Sequence, residues 1–182
     1  MFDADHAKSP RQLARFAGVL YLVIIVCGVG GQGLIREPLL AETAAQTVRN
    51  LVDAELAFRL SILADLAMVL ADVGLGVLLY LLLAPVNRVL SLAAMAFRLA
   101  QAAALGLNLV NLHQAVTIAT STSFAAGQRD ALVVSLLDAH AAGYDLGLVF
   151  FAVNCLLVGL LVARARFLPR ALGYGIAVSG VV

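Results

Sequence analysis

The chain is predicted to be all-α: a polytopic transmembrane bundle of four full spans and a partial fifth, with an amphipathic helix on the outer surface between spans one and two. Three observations carry this. Hydrophobic residues make up 63% of the 182 and charged ones 13%, with mean hydropathy +1.00, where soluble domains run at about 45–50% and 25%. The apolar stretches reach the roughly 20 residues that cross a hydrocarbon layer at about 1.5 Å per residue. All four prolines, Pro10, Pro38, Pro85 and Pro169, fall at joints between these stretches, where proline suits a first helical turn and spares an interior. One domain, residues 1–182, follows.

Span one is expected over 12–34. Lys8, Arg11 and Arg15 precede its apolar run Phe16–Val29 as they would a secretory signal, but no Ala-x-Ala site follows and further spans do, so it reads as an uncleaved helix. Its end, Gly28-Val29-Gly30-Gly31-Gln32-Gly33, matches the dinucleotide fingerprint, with Asp53 20 residues beyond Gly33. The context of a short strand before and a soluble helix after is missing. Glycine at a helix end or at a close helix contact is the better reading.

Between Pro38 and Leu56, Leu40, Ala44, Val48, Leu51 and Val52 recur at helical spacing, which predicts a surface-lying helix over 39–56. Spans two and three, 60–84 and 88–113, are joined by the tight turn Pro85-Val86-Asn87-Arg88. The run 117–123, rich in Thr and Ser, ends the third helix. The fourth span, 139–163, is preceded by a helical piece from about Asp130, with a break expected near Gly143 because the whole would outrun a bilayer. The fifth, 169–182, is short for a crossing, and the apolar end of the chain suggests truncation of a longer one.

Four charges sit inside these stretches: Asp65, Asp72, Arg98 and Asp145. Each costs roughly 2.5–3.5 kcal/mol in lipid on the most lenient scale, so each is expected to face protein or water. Reflection about the 85–88 turn sets Asp72 level with Gln101 and Asp65 level with Asn108. Each pair is seven residues apart on its own helix, two turns, so each helix turns one polar face inward. Arg98, three residues before Gln101, reaches Asp72, which makes Asp72, Arg98 and Gln101 a structural polar layer near mid-membrane. His140, Tyr144, Gly147, Phe151 and Asn154 form one stripe of the fourth span, with Asp145 beside it. Asp65, Asn108, Asn111, His140, Tyr144 and Asp145 therefore make a candidate ligand-binding crevice open to the outer face. With no cation assigned to Asp65 and Asp145, a cation, a basic ligand or protonation would complete it.

The distribution of basic residues predicts a cytoplasmic N-terminus: Lys8, Arg11, Arg15, Arg88, Arg164, Arg166 and Arg170 lie on that side against Arg36, Arg49, Arg59 and Arg129 on the other. Net charge is +1 and no basic, aromatic-studded face appears, so nucleic acid is not a partner. Cys27 and Cys155 lie in apolar runs and read as small hydrophobes. No metal is expected, since two histidines on different helices lack ligand spacing, and nothing identifies a cofactor.

The blocks Pro85-Val86-Asn87-Arg88, Ala96-Phe97-Arg98-Leu99-Ala100-Gln101-Ala102 and Leu105-Gly106-Leu107-Asn108, the stretch Asp138-Ala139-His140 through Gly143-Tyr144-Asp145 to Phe151, and Leu168-Pro169-Arg170-Ala171-Leu172-Gly173 resemble the bacterial membrane family catalogued as domain of unknown function 4386. The resemblance runs from about Leu13 to the end. It implies a multi-pass protein of the bacterial cytoplasmic membrane, continuing beyond 182 into a sixth helix, and brings no activity with it. From the residues, binding or translocation of a small ligand, proton or cation ranks first. An accessory subunit, associating with other membrane subunits or with itself, ranks second. A membrane-embedded enzyme built on His140 with Asp145 or Asp65 ranks third.

Overall fold

A serine cap starts the first helix: Ser9 Oγ accepts from the Gln12 backbone N–H while the Gln12 side chain accepts from the Ser9 N–H, and Pro10 occupies the first turn. The computed structural model describes residues 9–165 and 168–180. Lys8 and Arg166 of the charge tally, and the last two residues of the fifth stretch, lie outside them. Helix α1 (Pro10–Gly28) continues through a π-helical segment, Val29–Arg36, into a single 3-10 turn, Glu37–Leu39. Then follow α2 (Ala44–Asp53), α3 (Glu55–Leu83), α4 (Arg88–Ala119), α5 (Ala126–Arg164) and α6 (Arg170–Ser179). Four helical stretches are long and apolar enough to cross a membrane, namely Arg11–Leu39, α3, α4 and α5. No strand occurs among the described residues.

The bundle is inside out by the standards of a soluble protein. Asp65, Asp72, Arg98, Gln101, Asn108 and Asn154 are buried, while α3 exposes Leu56, Leu60, Leu63, Leu66, Leu70, Val73, Val77 and Leu81 along one face. Water would penalise an apolar stripe of that length; lipid does not. Packing follows chain order: α1 on α3, α3 on α4, α4 on α5 and α5 on α6. The turn after α3 sets the hairpin, with Asn87 capping α4 through the Leu90 N–H. Ser91 Oγ donates to the Tyr80 carbonyl, Gly76 faces Arg98 and Gly106 faces Val69, all within two residues of the mirrored register.

Two expectations are corrected. The helix between the first two long helices starts at Ala44, not near residue 39, because Thr43 caps it through the Gln46 N–H and the chain before it is extended. Thr47 and Asn50 hold that link by bonding Ala41 and the Leu39 carbonyl. Its apolar face is also spent on protein: Val48 and Leu51 pack with Phe58, Leu112, Val116 and Val133. The second correction concerns Gly143, where α5 runs without a break for 39 residues, about 58 Å. A Cβ at Gly143 would fall on the Asn108 amide, and one at Gly147 on Leu105. Glycine serves close approach here rather than a kink, and the excess length of α5 extends beyond a bilayer's hydrocarbon to carry α2. The end of the bundle bearing α2 is called the capped end below.

Candidate functional site

Two polar layers cross the bundle. In the first, Arg98 Nη2 donates to Asp72 Oδ1 at 2.5 Å and Nη1 donates to Asn154 Oδ1 at 3.2 Å; Asn154 Nδ2 in turn donates to the Ala94 carbonyl. Rings close the guanidinium on both sides, its carbon lying 5.5 Å from the Tyr21 ring centre and 5.7 Å from that of Phe151. Three helices and an aromatic from α1 thus converge on one cation that is 2% exposed. Gln101 is buried beside the layer without joining it; its Oε1, like Arg98 Nε, has no partner among the described residues. Asn154 from α5 holds the place expected for Gln101, because only a residue from a third helix faces the guanidinium's free edge.

In the second layer, nearer the capped end, Arg36 Nη1 donates to Asp65 Oδ2 at 2.5 Å and lies 3.3 Å from Ser61 Oγ. The expectation that Asp65 lacks a cation is overturned. The π-helical segment brings Arg36 there, and Gly31 permits it: a Cβ at Gly31 would stand 3.2 Å from the Ser61 carbonyl oxygen and 3.4 Å from Asp65 Oδ1. The close-contact role read for these glycines thus belongs to Gly31, and it was the available signal. Mapping that glycine onto Ser61 and Asp65 would have carried Arg36 over the carboxylate.

Asn108 joins α4 to α5, and Asn111 braces it from the same helix. Asn108 Nδ2 donates to the His140 carbonyl at 2.8 Å, His140 Nδ1 lies 3.3 Å from the Asn108 carbonyl, and Asn111 Nδ2 donates to Asn108 Oδ1. Neither asparagine bonds Asp65. The level expected for Asp65 and Asn108 is therefore divided between two pairs of helices, Asp65 serving the α1–α3 contact and Asn108 the α4–α5 contact.

Between these contacts lies a cavity of about 280 Å³, lined on one side by Gln32, Arg36 and Glu37 and on the other by His140, Tyr144 and Asp145, with Leu40, Phe58, Leu112 and Leu137 between them. Of the six residues expected to form the crevice, His140, Tyr144 and Asp145 line it; Asp65, Asn108 and Asn111 do not. Gln32, Arg36 and Glu37 line it without having been singled out. Glu37 and Asp145 are exposed, and neither side chain has an ion-pair or hydrogen-bond partner among the described residues. His140 and Tyr144 are half-buried, their ring centres 6.4 Å apart. The electrostatics are unequal: one arginine, already matched by Asp65, against two unmatched carboxylates. Chemically the cavity offers an apolar floor, an acidic rim and a few amide and hydroxyl groups, a combination suited to holding a cation with an apolar body.

The model of the family described as a domain of unknown function (DUF4386) matches residues 16–182, and the chain belongs to that family. It is also similar to an uncharacterized protein of Archaeoglobus fulgidus, 28% identical over 113 residues, which are 62% of this chain and 56% of that protein. The chain thus spans little more than half the length of the curated relative it matches. No solved structure matches it.

Proposed function

We propose that the protein binds a small cationic ligand in the cavity at the capped end, and that this end faces the outside of the cytoplasmic membrane. The observation that carries the reading is the unmatched pair Glu37 and Asp145 on the rim of an otherwise largely apolar cavity. An ammonium ion meeting two carboxylates gains charge-assisted hydrogen bonds, and the apolar floor favours an organic cation over a hydrated metal ion. The orientation rests on the basic residues, seven on the inner side against four on the outer. Binding rather than conduction is favoured because the Arg98 layer is packed shut below the cavity.

The test is a binding isotherm for butylammonium on protein reconstituted in phosphatidylcholine nanodiscs. Saturable binding weakened at least tenfold by Asp145→Asn supports the reading; binding indifferent to both Asp145→Asn and Glu37→Gln overturns it. A second reading, self-association or attachment to another membrane subunit, is favoured by α1, which packs on α3 and leaves Val19, Leu22, Ile25 and Val26 exposed. A single copy per nanodisc with full ligand binding would remove self-association.

A further inference from the structure

The cavity's two polar walls belong to helices that do not pack on each other. Gln32, Arg36 and Glu37 extend α1, whereas His140, Tyr144 and Asp145 belong to α5. Among the described residues α1 packs against α3, and α5 against α4, α6 and α2. The space between α1 and α5 is therefore a cleft whose floor is α3 and α4, and it opens sideways. Lower in the bundle, Tyr21 of α1 and Phe151 of α5 both lie within 6 Å of the Arg98 guanidinium carbon. Tyr144 and Phe151 are seven residues apart on one face of α5, so an alkyl chain laid along α5 from Tyr144 would cover about 10 Å before meeting Phe151.

Depth matters as well. Asp145 is nine residues from Asn154, the α5 member of the Arg98 layer, hence about 14 Å from that layer along α5. With that layer at mid-membrane and a hydrocarbon half-thickness of about 15 Å, the Asp145 carboxylate lies where hydrocarbon gives way to headgroups, and Glu37 lines the same cavity. A polar rim at that depth above an apolar slot matches the shape of an amphiphile in a leaflet.

We infer that the ligand of this site is a single-chain membrane amphiphile with a primary ammonium headgroup, entering sideways between α1 and α5. The headgroup binds between Glu37 and Asp145, and the chain lies in the cleft as far as Tyr21 and Phe151. This rests on the proposed cation site and adds the class of its ligand and the route of entry. Arg36 does not oppose the headgroup, since its charge is matched by Asp65, whereas an anionic headgroup would meet both carboxylates.

The experiment titrates butylammonium, octylammonium and octyl sulfate into wild-type protein and into the Glu37→Gln/Asp145→Asn double variant in phosphatidylcholine nanodiscs, reading saturable shifts of the unfolding midpoint. Both substituted side chains are exposed, so the double variant is expected to keep the wild-type helix content and midpoint without ligand; it therefore supplies the baseline for simple partitioning into lipid. The expected result is half-saturation by octylammonium at a concentration at least tenfold below that of butylammonium, lost in the double variant, with no saturable effect of octyl sulfate. Equal half-saturation by the two ammonium ions, lost in the double variant, overturns the amphiphile and leaves the cation site standing. Shifts identical in wild type and variant for both ions overturn both. Saturable binding of octyl sulfate to the wild type overturns the headgroup assignment.

Discussion

The two buried ion pairs among the described residues have nearly the same geometry and very different surroundings. Asp72–Arg98 and Asp65–Arg36 both close at 2.5 Å between buried side chains. Around Arg98, however, every neighbour is a packed side chain from the same bundle, including two rings and an asparagine from a third helix. Arg36 has Asp65 and Ser61 on one side and the cavity on the other. A charge with no access to water has no alternative partner; a charge beside a cavity has one. The Arg98 pair is thus enclosed by packed helices, and the Arg36 pair, near the capped end, borders the cavity of the candidate site.

The sharpest way to break this comparison is to remove each cation in turn. Arg98→Gln leaves Asp72 buried and unmatched, and should lower stability by about 3–5 kcal/mol, the range for breaking a buried pair. Replacing both, Asp72→Leu with Arg98→Met, should recover most of that loss. Unfolding in a denaturing detergent titration measures both; a double variant as unstable as the single one would mean that the layer's worth lies in something other than charge matching. Next, Arg36→Gln should cost less, about 1.5–3 kcal/mol, the range for hydrogen bonds to charged groups, because water entering the cavity solvates Asp65. Equal losses for Arg36→Gln and Arg98→Gln in the same titration would erase the distinction between the layers.

A smaller effect tests the frame that holds the cavity's α5 wall. Asn108→Ala removes the side-chain bonds to His140 and Asn111, each worth about 0.6 kcal/mol by comparison with measured interhelical bonds in membranes. The expected loss is about 1 kcal/mol, with the butylammonium isotherm shifted by less than Asp145→Asn shifts it. A larger shift than that of Asp145→Asn would make Asn108 part of the site rather than of its support.

The Arg98 layer was largely legible from sequence and the Arg36 layer was not, for a physical reason. A tight turn between two long helices fixes their relative register, so Asp72 and Arg98 are placed by counting outward from Pro85. Asn154 was visible as part of the α5 stripe but not as Arg98's partner, since the loop before α5 fixes no such register. Arg36 and Asp65 are 29 residues apart, separated by a 3-10 turn, an extended link, α2 and the first turns of α3, and no spacing rule spans that path. Gly143 was misread for a related reason: a glycine says that a Cβ is unwanted, and only the neighbouring Asn108 amide says why. Likewise the apolar face of α2 was evident, but whether lipid or protein would cover it depended on where α3, α4 and α5 end.

By itself the sequence determined that the chain is a helical membrane bundle, which stretches are apolar enough to cross, and which charges must be hidden from lipid. Those follow from composition, period and the cost of transferring ionised groups into hydrocarbon, all of which are local. Tertiary structure alone decided that Asp65 is matched by Arg36, that Asn108 ties α4 to α5, and that Glu37 comes to stand with Asp145 at one cavity. Those depend on how α1 seats against α3 and how closely α4 meets α5, contacts set by side-chain shape across distant segments and encoded in no single spacing.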